Sequence, residues 1–383
     1  MIRISDKSLC CGCSACVTAC PAQCIVLRRD REGFDYPMAN PDLCIGCGKC
    51  EEICPVLKPL EVAEPLAAYA VRVPEYVDGS SSGGVFPALA GKVTADGGVV
   101  YGAIFNADMT VGHMEAETME EVEKMRGSKY VQSDLYDTYA EVKARLAEGR
   151  KVLFTGTPCH VAGLNRFLGR PYDNLLTVDV ACHGVPSPGL WEKYVAALGK
   201  KYGSSISDVK FRDKSQSWKN YAFTFDSGGQ TVSVPHMKDP YMALFLQDMS
   251  LRPSCYSCPS KGGRSHSDIT LADMWNNVAA AGVEDDDRGL SLVVACTPKG
   301  MAALQAVGVR LTEVDYAEAR KRNAGFDGSA VIPERRDEFF AGIHSTKDII
   351  SYMSGFVVRR CFLRVWYEKL HTLLSRLKRR ISK

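Results

Sequence analysis

Eight cysteines stand in two copies of one spacing. Cys10, Cys13, Cys16 and Cys20 follow C-x2-C-x2-C-x3-C with Pro21 next, and Cys44, Cys47, Cys50 and Cys54 repeat the run before Pro55. Thiolates this close wrap an iron–sulfur cube, and the fourth cysteine, held before proline, reaches the other cube. The spacing therefore assigns Cys10, Cys13, Cys16 and Cys54 to one [4Fe–4S] cluster and Cys44, Cys47, Cys50 and Cys20 to the other. Gly12, Gly46 and Gly48 let the backbone approach closely. Zinc also takes four thiolates, but its sites pair two C-x2-C knuckles and have no need of eight cysteines in a doubled register. Cys11 and Cys24 fall off the pattern and read as spare. Two neighbouring clusters suit one-electron transfer without naming a substrate.

Of the sixteen cysteines, ten lie between Cys10 and Cys54 and six are scattered over the remainder. Cys159 ends a TGTPC turn, Cys182 precedes His183, and Cys255 and Cys258 form a C-x2-C pair before Pro259. These four are candidates for a third metal centre, most readily another [4Fe–4S]. The alternative is that Cys159 and Cys182 are small buried hydrophobes, a common role for free cysteine. His160 and His183 adjoin the key cysteines and suit proton relay or a structural role. Cys296 and Cys361 sit in apolar stretches as packing residues. No Ser-His-Asp or paired-carboxylate site stands out, so catalytic residues stay unassigned.

The elements that must hold these groups alternate between helix and strand signals, which argues for a larger α/β domain behind a small α+β dicluster domain. Ile25 to Leu27 and Phe34 to Tyr36 read as a short hairpin turning near Glu32-Gly33. Three places read as a strand or loop running into a helix N-terminus, where bare N–H groups meet anions. One is Ser80-Ser81-Ser82-Gly83-Gly84 before a helix at 86–94. A second is the strand 151–154, followed by Thr155-Gly156-Thr157-Pro158 and a helix at 160–168. With the strand 175–180 it makes a βαβ unit, whose first turn is a common ligand position. The third is Gly127-Ser128-Lys129-Tyr130. Ordinary capping is the plain alternative in each case. The run 267–275 alternates like a strand and puts Asp273 and Trp275 at its end, unless it is a solvated edge.

The 383 residues allow two or three domains, and 46% hydrophobic with 24% charged is ordinary globular composition. The expected division is a ferredoxin-type domain at 1–59, a proline-punctuated linker at 60–66, an α/β core at 67–345 and a tail at 346–383. A net charge of +2 gives no bias toward nucleic acid. No run of about eighteen apolar residues predicts a transmembrane helix, and the first residues lack the apolar core of a signal peptide. The expected location is the cytoplasm.

Taken together, the motifs resemble the beta-subunit family of coenzyme F420 hydrogenases and dehydrogenases, which are iron–sulfur flavoproteins. The matching stretches run in order: SSGGVF near 80–86, GSKYVQS (127–133), TGTPCHVAGL (155–164), DVACHGVPSP (179–188), CYSCP (255–259), SDITLADMW (267–275) and GLSLV (289–293). The look is nearest to a bacterial branch found beside polysaccharide genes. The resemblance implies FAD, with Ser81, Ser82, Gly83, Gly84, Ser128, Lys129, Tyr130, Thr155, Gly156 and Thr157 lining it. It also favours a core cluster on Cys159, Cys182, Cys255 and Cys258. Archaeal members reduce coenzyme F420; nothing in this sequence says that this chain does.

From Val357 onward the character changes. Nine Lys or Arg against Glu368 give the tail +8, which leaves −6 for the rest. Val358, Phe362, Val365, Trp366, Leu370, Leu373, Leu377 and Ile381 recur at helical spacing. A basic amphipathic helix fits peripheral contact with the inner face of a membrane, or docking on the body of the protein.

Two functions follow as expectations. One is a reductase that passes electrons from a ferredoxin-like donor through the clusters to FAD and a small substrate, either a cofactor or a sugar-related intermediate. The other is a non-catalytic subunit wiring a partner enzyme. Bound flavin separates the two.

Overall fold

The computed structural model describes residues 1–275, 282, 286–321, 323 and 325–358. The basic helix expected from Val357 to Lys383, and Cys361 with it, lie outside the described residues from 359 onward.

In the dicluster segment, a one-turn helix α1 (Ala15–Thr18) leads to β1 (Ile25–Arg29), which pairs antiparallel with β2 (Asp35–Ala39), Ile25 opposite Ala39. A second one-turn helix, α2 (Lys49–Glu52), follows. The turn between the strands is closed by the Asp30 carboxylate, which accepts from the Glu32 and Phe34 N–H groups. Gly33 there takes φ +81°, a conformation that suits glycine.

Next come β3 (Ala67–Val71), α3 (Val85–Ala95), β4 (Val99–Phe105), β5 (Val111–Ala116), α4 (Met119–Glu123), α5 (Thr138–Ala147), β6 (Val152–Thr155), α6 (Pro158–Leu168) and β7 (Leu175–Val180). An inserted subdomain holds α7 (Pro188–Tyr202), β8 (Ile206–Asp213), β9 (Ala222–Ser227), β10 (Gln230–Pro235) and α8 (Pro240–Leu246). The chain then returns through β11 (Ile269–Asp273), β12 (Ser291–Ala295), α9 (Pro298–Ala306), β13 (Thr312–Glu313) and α10 (Tyr316–Lys321), and closes with α11 (Arg336–Gly342) and α12 (Ile349–Phe356).

Eight strands form one sheet in the order β13-β3-β12-β11-β7-β6-β4-β5, with β11, β7, β6 and β4 parallel in its middle. A strand buried on both faces sends alternate residues to opposite layers. Val152 and Phe154 face α5 and α6, while Leu153 between them faces α3, α4 and α9. The first of these layers also takes Ala15, Ala19 and Ile53 of the dicluster segment. Residues 267–275 thus include an internal strand between β7 and β12, not a solvated edge.

Unforeseen in the sequence is the three-stranded antiparallel sheet β10-β9-β8. With α7, α8, α11 and α12 it encloses an aromatic core built on Trp191, Phe211, Phe223 and Tyr241. Of the tail expected from 346, residues 349–356 form α12, whose Ile349, Met353 and Phe356 are buried in this core. The stretch 60–66 has no regular structure but is held, with Ala63 N–H donating to Gly263 O and Leu66 N–H to Ala295 O.

Candidate functional site

Two cavities in the dicluster segment sort its cysteines. One is lined by Cys10, Cys13, Cys16 and Cys54, with Cys11 and Gly12 beside them. The other is lined by Cys20, Cys44, Cys47 and Cys50, with Cys24 as a fifth thiol whose sulfur lies 3.5 Å from that of Cys20. Left-handed backbone at Gly12, Gly46 and Gly48 turns each loop around its cavity, and side chains at Gly46 and Gly48 would project into open space. Among the described residues no three His, Cys, Asp or Glu converge tightly enough for a single metal ion. Four thiols around each cavity fit the wider cube. The second cavity opens to solvent through exposed Cys47, while Cys10, Cys13, Cys16 and Cys54 are buried.

Four of the six remaining cysteines converge at the carboxyl ends of β6 and β7. Cys159 sits on the first turn of α6, Cys182 follows β7, and Cys255 and Cys258 ride a 3-10 turn at Pro253–Ser257. Burial pushes the Cys182 thiol well up, and the thiols of Cys255, Cys159 and Cys258 add to it while Lys261 opposes. Burial takes Cys255 and Cys16 up to about 12. Thiols this basic keep their protons at neutral pH, so metal binding has to expel them.

Cys11 is not spare in position. Its buried thiol reaches both Cys13 and Cys159. Helix α6 makes the same link, for Gly163, one turn after Cys159, packs so that a Cβ would stand 3.0 Å from Cys13 Sγ. Sequence reasoning also missed Arg252 and Gln132, since only the folded chain brings them beside the Cys10 loop. Gln132 Nε2 lies 3.5 Å from the carbonyls of Cys11 and Gly12.

The segments expected around a flavin are brought together in part. Ser81 and Ser128 meet through their hydroxyls at 3.0 Å, and Ser128 N–H donates to Ser81 Oγ. Ser82 Oγ donates to Leu290 O. Gly83 is required by packing: a Cβ there would meet Val71 O at 2.3 Å. Gly84 caps α3 at φ +88° without a side-chain cap bond. Thr157 likewise caps α6 without one, its hydroxyl lying 3.1 Å from Cys159 Sγ. The two helices pack into opposite layers of the sheet, α3 with Leu153 and α6 with Phe154. Gly156 packs against His160, and Thr155 Oγ1 donates to Tyr101 O.

The third expected helix start is absent. Residues 127–133 form a loop, and α5 begins only at Thr138. Neighbouring backbone takes its polar groups instead: Gln132 N–H donates to Pro186 O, and Asp134 pairs with β5 through Val111 and His113. Lys129 turns back on this loop, donating to Arg126 O at 2.9 Å, and burial pulls its amine down to about 7. Tyr130 stacks on Phe245 at 4.3 Å.

Asp273 at the end of β11 is ion-paired with Arg212 and accepts from Trp218 Nε1, and Trp218 stacks on Trp275 at 4.6 Å. His160 is buried and held well below the usual histidine range by that burial, with His113 and Arg252 adding to the effect. His183 pairs with Asp248 at 2.7 Å.

No curated relative matches the chain. Among solved structures, an F420-reducing [NiFe] hydrogenase complex from Methanosarcina barkeri matches at 16% identity, over 77% of this chain and 91% of that one, with a TM-score of 0.44. Residues 9–57 match the 4Fe-4S dicluster domain, which gives the chain iron–sulfur clusters and a role in electron transfer. Residues 149–318 match the family described as the C terminus of the coenzyme F420 hydrogenase/dehydrogenase beta subunit. This span holds β6, α6, β7 and all four core cysteines. The chain thus carries, at residues 149–318, a region that matches the C terminus of the coenzyme F420 hydrogenase/dehydrogenase beta-subunit family, behind a 4Fe-4S dicluster domain.

Proposed function

We propose that the chain is an iron–sulfur flavoprotein oxidoreductase. Cys20, Cys44, Cys47 and Cys50 hold the outer cluster, Cys10, Cys13, Cys16 and Cys54 the inner one, and Cys159, Cys182, Cys255 and Cys258 a third. One-electron carriers are thereby set in a row from solvent to the carboxyl edge of the sheet. The observation that carries this reading is the thiol of Cys11, in reach of both Cys13 and Cys159. It leaves no spacer between the dicluster segment and the core cysteines.

FAD belongs at the two helix starts. Gly84 and Thr157 begin the helices that would hold its diphosphate, Ser81 and Ser128 tie the neighbouring loops, and Tyr130 supplies an aromatic wall. A flavin supplies the exchange between one-electron and two-electron chemistry. Lys129, poised near neutrality, is suited to hold or give up a proton at Nζ. The redox donor is a ferredoxin or reductase subunit, and the acceptor a small molecule of polysaccharide synthesis. The second reading, a subunit that only wires a partner enzyme, is supported by the helix start missing at 127–133.

The test is anaerobic purification followed by iron and flavin analysis and a visible spectrum. About twelve irons and one FAD per chain are expected from three four-iron clusters. About eight irons without flavin would leave only the wiring reading. Cys255→Ser should remove about four irons; full retention of iron would exclude Cys255 as a ligand.

A further inference from the structure

Arg252 is fully buried, at 0% exposure. Its Nε donates to Cys10 O at 2.7 Å, Nη1 to Gln132 Oε1 at 2.9 Å, and Nη2 to Asp35 O at 3.0 Å and to Cys10 Sγ at 3.5 Å. The guanidinium also lies 4.2 Å from the ring centre of Tyr36. Among the described residues none of these hydrogen-bond partners is a carboxylate. An arginine keeps its charge at any ordinary pH, and an uncompensated buried charge is costly. The fold therefore needs an anion beside it. The nearest source of negative charge is the thiol set it already touches, because a cube held by four thiolates is a net anion that gains one more negative charge on reduction.

We propose that Arg252 is the internal counter-cation of the cluster held by Cys10, Cys13, Cys16 and Cys54, and that its charge raises that cluster's midpoint potential. This rests on the cluster assignment proposed above. Reduction adds one electron from an external one-electron donor, with no bond made or broken. A fixed cation favours the more negative, reduced state.

Among the described residues the outer cavity has no such device. Its cations are the Met1 amino group, paired with Glu51, and exposed Lys49, and solvent and salt screen them. The arrangement pulls electrons inward, away from the outer cysteines and toward Cys159. Arg252 is also tied to the core side: its N–H donates to Val185 O, and its carbonyl accepts from Cys255 N–H.

The experiment is a redox titration of the full chain with its clusters, followed by electron paramagnetic resonance, using Arg252→Gln and Arg252→Lys. At a fixed potential, Arg252→Gln should lower the reduced-to-oxidised ratio of one cluster on the order of tenfold, ~59 mV for a one-electron couple. The other dicluster centre should stay put, and Arg252→Lys should keep most of the parent value. Unchanged potentials in Arg252→Gln with all iron present would overturn the proposal. If Arg252→Gln loses four irons, retention in Arg252→Lys supports the need for a cation, whereas loss in both overturns a role through charge. Fewer than eight irons in the unsubstituted chain would defeat the cluster assignment itself.

Discussion

Asp179 on β7 offers a clean test of how burial acts on one charge. It is 2% exposed, Thr270 Oγ1 donates to its Oδ1 at 2.5 Å, and burial lifts its carboxyl from 3.8 to about 6. That rise costs the ionised native state about 3 kcal/mol at neutral pH. Full burial leaves no solvent screening to discount. The sign follows from proton counting: between roughly pH 4 and 6 the native state holds the proton and the unfolded chain has lost it, so stability falls as pH rises. His113 acts in the opposite sense. Burial pulls it from 6.5 to about 4, so its contribution is present above 6.5 and is lost as pH falls toward 4. Comparing Asp179→Asn with its parent cancels the His113 effect, which both share. The surrounding hydroxyls of Ser265, Ser267 and Thr270 must turn to meet the new amide, at a cost of about 1 kcal/mol. Urea unfolding under anaerobic conditions should therefore find the variant about 2 kcal/mol more stable at pH 7, with a margin about 1 kcal/mol smaller at pH 5. A margin independent of pH, or one that grows on acidification, would refute the assignment of this cost to the buried carboxylate.

Two further substitutions test how the dicluster segment is seated. Alanine in place of a helical glycine ordinarily adds up to about 1 kcal/mol, but at Gly163 the new Cβ would stand 2.8 Å from the Tyr139 hydroxyl and 3.0 Å from Cys13 Sγ. Tyr139 cannot retreat, because it donates to His160 O at 2.7 Å. Overpacking of about 1–3 kcal/mol wins, so Gly163→Ala should lower the urea midpoint; a raised midpoint would mean that the helix can shift. Arg336, nearly buried, grips both carboxylate oxygens of Glu32 in the β1–β2 turn. Arg336→Met should cost about 2 kcal/mol, less than a fully buried pair because Glu32 is partly exposed. A loss below half of that would place this contact among ordinary surface pairs.

The cysteine runs and the β6–α6–β7 unit were legible in the sequence because their signals are local. Spacing identifies the thiols, and a short apolar run between turn residues identifies each strand. The loop at 127–133 misled because its serine and lysine imitate a helix start, while the bonds that fix it come from Pro186 and β5, far away in the chain. The hairpin of β9 and β10 had a readable signal in Gly228-Gly229 between alternating apolar residues. The roles of Cys11, Gln132 and Arg252 had none: Arg252 meets Cys10 across 242 positions of sequence, and only tertiary packing brings the two together.

At the turn of the dicluster hairpin, the backbone of Gly33 lies directly on that of Gly189, which donates its N–H to Gly33 O at 3.1 Å. A Cβ on Gly33 would stand 2.7 Å from Gly189 Cα, so no side chain intervenes between the two. Electron tunnelling falls off exponentially with distance, and main chain resting on main chain leaves no compressible layer to vary that distance. On the proposed path, the step from the Cys10 loop to the core cysteines would have its length set at folding. Control over the flow then belongs to the ends of the row, where a donor arrives and an acceptor leaves. A foreign ferredoxin module would serve in this place only if it brought a glycine to the same turn.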